Sequence, residues 1–228
     1  MKYLFNYVSN AFVLIILLFI FSCNGINKKI TKWDNGRDKA ILTFLNPNDT
    51  LTYLKEDFYK SGQPFSKGMY VGGKKNGLWD WWYLNGNKKD EATFDTGTYI
   101  IQRKHWFENG NLKQVEIITG DSSYGNCDCF DGHVTNYYEN GIVKDESIYF
   151  NGKRDSEYIF RYDNGQIKKQ EYFKADLKEG PYYEWFQNGT KWVEGYFKND
   201  KQDSIWVWFD STGKPQAEHT FKNGLLVK

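Results

Sequence analysis

The chain has 228 residues, and its 30 basic against 29 acidic side chains (net charge +1) give no electrostatic reason for a nucleic-acid partner. Aromatic residues make up 19% and prolines number only 4, a mixture that suits pleated, half-buried β surfaces. Three histidines and three cysteines leave little material for a catalytic or metal centre.

Residues 1–22 read as a lipoprotein-type signal peptide. Lys2 supplies a positive start, and Ala11 to Phe21 (AFVLIILLFIF) is an unbroken apolar run, shorter than the ~20 residues that span a bilayer. The end, Ile20-Phe21-Ser22-Cys23, resembles a bacterial lipobox, so Cys23 is expected to carry lipid and become the new N-terminus. Phe21 is bulkier than the small residue usual there, and a cleaved secreted form or an uncleaved anchor are the alternatives. Residues 23–32 then read as a polar tether.

From residue 33 to residue 228 the chain repeats itself. Turn-forming pairs end at Gly36, Gly62, Gly86, Gly110, Gly141, Gly165, Gly189 and Gly213, in steps of 26, 24, 24, 31, 24, 24 and 24 residues. Six of these eight glycines follow Asn, the strongest short-range hairpin signal, and a two-residue type I′ turn is the expectation at each. Three positions before the glycines stand Trp33, Tyr59, Tyr83, Phe107, Tyr138, Tyr162, Phe186 and Asp210. Eight positions after them stand Phe44, Tyr70, Phe94, Ile118, Tyr149, Phe173, Phe197 and Phe221.

A two-residue turn fixes the register. It sets Leu84 against Asn87, Trp82 against Lys89, Trp106 against Lys113, Tyr137 against Lys144 and Trp185 against Trp192. Further out it sets Gly77 against Phe94, Gly132 against Tyr149, Ser156 against Phe173, Gly180 against Phe197 and Ser204 against Phe221. One pair, Arg161 against Lys168, juxtaposes like charges. Each period of about 24 residues is thus one β-hairpin. Since a lone hairpin is marginal in water, neighbours must pair edge to edge into one elongated, curved antiparallel sheet of an all-β protein. About sixteen strands would extend ~75 Å. The least regular stretch outside the insert is 46–56, and Leu51 to Tyr59 has room for a helical turn.

The fullest unit, Gly73-Lys74-Lys75-Asn76-Gly77-Leu78-Trp79, with "WWYLNGNKKDEATF" (81–94), "HWFENGNLKQVEII" (105–118), "NYYENGIVKDESIY" (136–149) and "EWFQNGTKWVEGYF" (184–197), resembles the MORN-repeat variant. The resemblance covers residues 33–228 and implies a hairpin-repeat fold with no cofactor. Members are often labelled antitoxins of the YwqK type, which neutralise a toxin by binding it, and they also occur as bacterial lipoproteins. A signal peptide departs from a cytoplasmic antitoxin and implies action in the envelope.

Packing between hairpins accounts for most of the aromatics, but a single sheet has two faces. An uncovered aromatic row is a contact surface, for which Trp79, Trp81, Trp82, Trp206 and Trp208 are the candidates. The step of 31 residues carries an insert at 119–131 with Cys127 and Cys129, whose alternatives are a disulfide, free or intermolecular thiols, and a metal site with Asp131 and His133. A CxC with one histidine lacks the paired spacing of zinc sites, so no metal is expected. His105 and His219 sit at regular strand positions. The recurring Glu91, Glu116, Glu146, Glu171, Glu194 and Glu218 read as a solvated or lysine-pairing ladder rather than a catalytic pair.

The sequence therefore predicts an exported, lipid-anchored, non-catalytic module that binds a protein, a toxin being one such partner, with its insert as a specificity element. The alternative is an envelope structural protein or a glycan- or lipid-binding protein.

Overall fold

The structure, a computed structural model, describes residues 26–95, 99–118 and 131–227. The signal peptide, Cys23, and Cys127 and Cys129 of the insert lie outside these residues. The strands are β1 (Asn27–Lys32), β2 (Asp38–Phe44), β3 (Tyr53–Phe58), β4 (Pro64–Val71), β5 (Lys74–Trp82), β6 (Lys88–Asp95), β7 (Tyr99–Trp106), β8 (Leu112–Ile118) and β9 (Gly132–Tyr137). They continue as β10 (Val143–Phe150), β11 (Lys153–Arg154), β12 (Ser156–Arg161), β13 (Ile167–Lys174), β14 (Leu177–Trp185), β15 (Lys191–Lys198), β16 (Lys201–Phe209), β17 (Pro215–Lys222) and β18 (Leu225–Leu226). All belong to one 18-stranded antiparallel sheet in which each strand pairs with the next in sequence, except that β11 and β12 each pair with β10. No helix occurs among the described residues, and the sheet remains open.

Two expectations about its extent are corrected. Residues 27–32, assigned to the tether, form β1 and pair along the whole of β2, because the outer edge of β2 offers unpaired backbone groups that a polar strand satisfies. The helical turn allowed over Leu51 to Tyr59 is absent. Tyr53–Phe58 is β3, held in register with β2 and β4.

The turns are exchanged relative to expectation. At the eight glycines the reversal has three residues rather than two. The N–H of Gly86 donates to the carbonyl of Tyr83 (3.0 Å), and the N–H of Tyr83 donates to the carbonyl of Asn87 (2.8 Å); the other seven turns repeat both bonds. Only the glycine is left-handed, with φ between 81° and 96° in all eight, while the preceding Asn is not. Type I′ geometry appears instead at the opposite ends of the hairpins, at Gly72-Gly73, Asn151-Gly152, Ala175-Asp176, Asn199-Asp200 and Asn223-Gly224, where both residues of each pair have positive φ.

The longer reversal displaces the near pairs. Trp82 faces Lys88, Trp106 faces Leu112, Tyr137 faces Val143, Trp185 faces Lys191 and Arg161 faces Ile167. A bulge then restores the register, so Gly77–Phe94, Gly132–Tyr149, Ser156–Phe173, Gly180–Phe197 and Ser204–Phe221 pair as expected. The bulged residue is the one that a two-residue turn would set opposite the last residue of the preceding strand. It covers the neighbouring ring instead: Lys39, Lys89, Lys113, Lys144 and Lys168 lie 4.7–5.8 Å from Trp33, Tyr83, Phe107, Tyr138 and Tyr162. The like-charge pair disappears, since Arg161 donates to Glu146 at 2.7 Å.

Successive units are tied through their turns. The hydroxyls of Tyr59, Tyr83, Tyr138 and Tyr162 donate to the carbonyls of Trp82, Trp106, Arg161 and Trp185, each 23 residues ahead, at 2.6–2.9 Å. The amides of Asn35, Asn85, Asn140 and Asn188 donate to the carbonyls of Lys60, Glu108, Asp163 and Ser211 in the next turn, at 2.8–3.0 Å. Their Oδ1 atoms accept from the backbone N–H two residues on. Asparagine thus serves here as a strap between turns.

Candidate functional site

Strand alternation puts Trp79, Trp81, Trp206 and Trp208 on one face of the sheet. Trp79 lies flat on Gly68, where an added Cβ would come within 2.1 Å of the indole, and its Nε1 donates to the Met69 carbonyl at 3.0 Å. Tyr70 meets it edge-on at 5.2 Å, Trp81 stacks at 5.7 Å and Lys75 caps it at 4.5 Å. The same assembly recurs with Trp206 on Gly195, its Nε1 donating to the Tyr196 carbonyl at 3.2 Å, with Tyr182, Phe197, Trp208 and Phe221 around it.

Trp79 and Trp206 are therefore core residues, 2% and 3% exposed, and offer no surface to a partner. The close approach of a glycine allows each indole to sink against backbone, and the stacked neighbours close over it. Trp81, Trp82 and Trp208 are half-buried and remain the reachable part of the set. The glycines beneath the indoles, Gly68 and Gly195, escape a search for turns. The signal for them is the equal spacing of Gly68 to Trp79 and Gly195 to Trp206, 11 residues in each case.

Charges on the sheet are mostly matched. Glu171, 2% exposed, is held between Lys169 and Lys178, both at 2.9 Å. On the other face Lys88 bridges Asp80 (2.7 Å) and Glu91 (2.6 Å), and Lys104 reaches Glu91 at 3.2 Å. Burial opposes charge at both Lys88 and Glu91, but the hydrogen bonds outweigh it. The Lys88 pKa rises and that of Glu91 falls. Glu194 pairs with Lys191 (2.6 Å) and Glu116 stands 3.9 Å from Arg103. Burial, followed by the charges of Lys55 and Arg103, lowers the pKa of Lys75 among its rings. Burial also pushes the phenol of Tyr158 up to about 12 and raises that of Tyr182 further.

Between the two ring-rich banks the same face turns polar. Asp90, His105, Gln114, Asn136 and Asp145, one on each strand from β6 to β10, form a continuous line of facing residues. His105 Nδ1 donates to Asp90 Oδ1, and Asn136 Nδ2 donates to Asp145 Oδ1 at 2.7 Å. The opposite face of β9 to β12 holds a shallow pocket of ≈190 Å³ lined by His133, Thr135, Glu146, Ile148, Glu157 and Ile159, among others. Asp131, at the end of the insert, accepts from the Asn151 N–H, and His133 is exposed. Among the described residues no three His, Cys, Asp or Glu side chains gather as a metal site.

A family model described as MORN repeat variant matches residues 130–151, 154–175, 178–199 and 202–223. These segments coincide with the strand pairs β9–β10, β12–β13, β14–β15 and β16–β17, so the match falls on four successive hairpin units. No curated protein matches the chain.

Proposed function

We propose that this is an exported, lipid-anchored, non-catalytic repeat protein that works by holding another protein against its sheet, as an antitoxin or immunity component of the cell envelope. The observation that carries this reading is an open sheet in which every substantial contact runs between strands adjacent in the sheet or flanking the short β11. Among the described residues the half-buried Trp81 and Trp208 meet side chains of their own and neighbouring strands, Lys75 over Trp81 and His219 against Trp208, and no second layer covers them. A face of that kind is a contact surface, and repeat proteins of this quasi-one-dimensional sort present extended binding surfaces. The apolar run Ala11 to Phe21 followed by Cys23 supports export and lipidation. The insert at 119–131, the one long departure from the repeat, is the specificity element.

Crosslinking of the tagged chain in its native cell, followed by mass spectrometry, tests this. A stoichiometric protein partner is expected, and its capture is expected to vanish when residues 119–131 are deleted. Recovery of envelope polysaccharide or lipid with no protein would overturn the proposal, and capture that survives the deletion would remove the role given to the insert.

A further inference from the structure

We infer that the polar line across β6–β10 is a binding row for a linear, uncharged oligosaccharide laid across the strands. The inference goes beyond the protein-contact reading and does not depend on it.

Trp81 faces Asp90 at one end of the row, and Phe160 faces Asp145 at the other. The line from Trp81 to Phe160 crosses six strand spacings, about 29 Å. That length suits a chain rather than a single ring.

The parallel line that carries Trp79 on β5 and Trp206 on β16 carries Ala92, Arg103, Glu116, Val134 and Ser147 on β6 to β10. No large ring fills this stretch, so the five polar groups lie in a gap between two aromatic banks. Asp90 and His105 keep 26% and 27% of their side-chain surface.

The chemistry of the row is mixed. Gln114, at its centre, makes no side-chain hydrogen bond among the described residues and offers both a donor and an acceptor. His105 spends only Nδ1 on Asp90, and Asn136 spends only Nδ2 on Asp145. The internal bonds hold these side chains in place and leave their remaining atoms for a ligand. Sugar hydroxyls donate and accept at once, as such a row requires, and the ammonium groups of Lys75, over the Trp81 ring at 4.8 Å, and Lys168, over Phe160 at 5.5 Å, add donors at either end. Asp90 and Asp145 place a carboxylate toward each end of the row, and these oppose phosphate and anionic polymers along it.

The test is titration of the full-length chain, purified in detergent, with cellohexaose and maltohexaose, read by tryptophan fluorescence and calorimetry, with a hyaluronan hexasaccharide as the anionic comparator. Saturable binding of a neutral hexasaccharide is expected, weakened about tenfold in Gln114→Ala, as for a contact at the centre of a site, and severalfold in Trp81→Ala at its end. Glu218→Ala, outside the row, is expected to bind like wild type. If Trp81→Ala unfolds, Gln114→Leu decides alone, its fold checked by circular dichroism. Binding of neither neutral sugar, binding of the anionic one alone, or a folded Gln114 variant within about twofold of wild type would each overturn the inference.

Discussion

Gly68 and Trp79 show how much one missing methyl group can matter. The indole occupies the space where every other residue would carry its Cβ, and the backbone on both sides is fixed by pairing with β3 and β5. Gly68→Ala must therefore push the ring away or bend the strand, an overpacking cost of about 1–3 kcal/mol. In a chain of this size the midpoint of thermal unfolding falls by roughly 2–4 °C per kcal/mol, and a scan of the variant that matched wild type would refute this packing account. At this scale the sequence announces the rings but not their roles. The fixed offsets of Tyr59, Tyr83, Tyr138 and Tyr162 are visible, yet the carbonyl each hydroxyl finds lies 23 residues away. Only the register of neighbouring units reveals that partner. The burial of Trp79 and Trp206 was likewise hidden, because it depends on glycines across the strand pair.

The hairpin is the next scale, and here the reading from sequence was right in the distance and wrong nearby. A three-residue reversal moves the pairing by one residue, and the bulge moves it back. Every far pair from Gly77–Phe94 to Ser204–Phe221 therefore survives, while Trp82 finds Lys88 rather than Lys89. Asn-Gly predicts two positive φ angles, whereas only the glycine has one and the Asn side chain serves as a strap. Asn85→Asp and Asn85→Ala separate the two jobs of that strap. The aspartate keeps an acceptor for the Asn87 N–H and loses the donor to the Glu108 carbonyl; the alanine loses both. Denaturant titration is expected to place Asp between wild type and Ala, with about 1 kcal/mol lost per bond. Equal midpoints for Asp and wild type would mean that the turns are not coupled through this amide.

For the molecule as a whole, the meander and its open edges were legible because one unit, once recognised, dictates its neighbour. The polar trough was not, because its members come from β6 to β10 and spread from Asp90 to Asp145, joined only by register. Large-scale stability carries an alkaline limit. Burial raises the phenols of Tyr158, to about 12, and Tyr182, so the folded chain keeps protons that an unfolded chain releases near pH ~10. A raised folded pKa means that this contribution is complete below that pH and lost as the pH rises through the folded value. Thermal midpoints are expected to drop between about pH 10 and 12, with a shallower drop in Tyr182→Phe. An unchanged slope would show that the Tyr182 phenol does not set this limit.

The pairing of β1 with β2 has a consequence for posture. A lipid on Cys23 would leave residues 24–26 as the whole leash between bilayer and sheet, a reach of at most about 10 Å. The stack of strands would then rise from the bilayer like a mast on a short stay, and each extra repeat, two strand spacings deep, would carry its tip about 10 Å further outward.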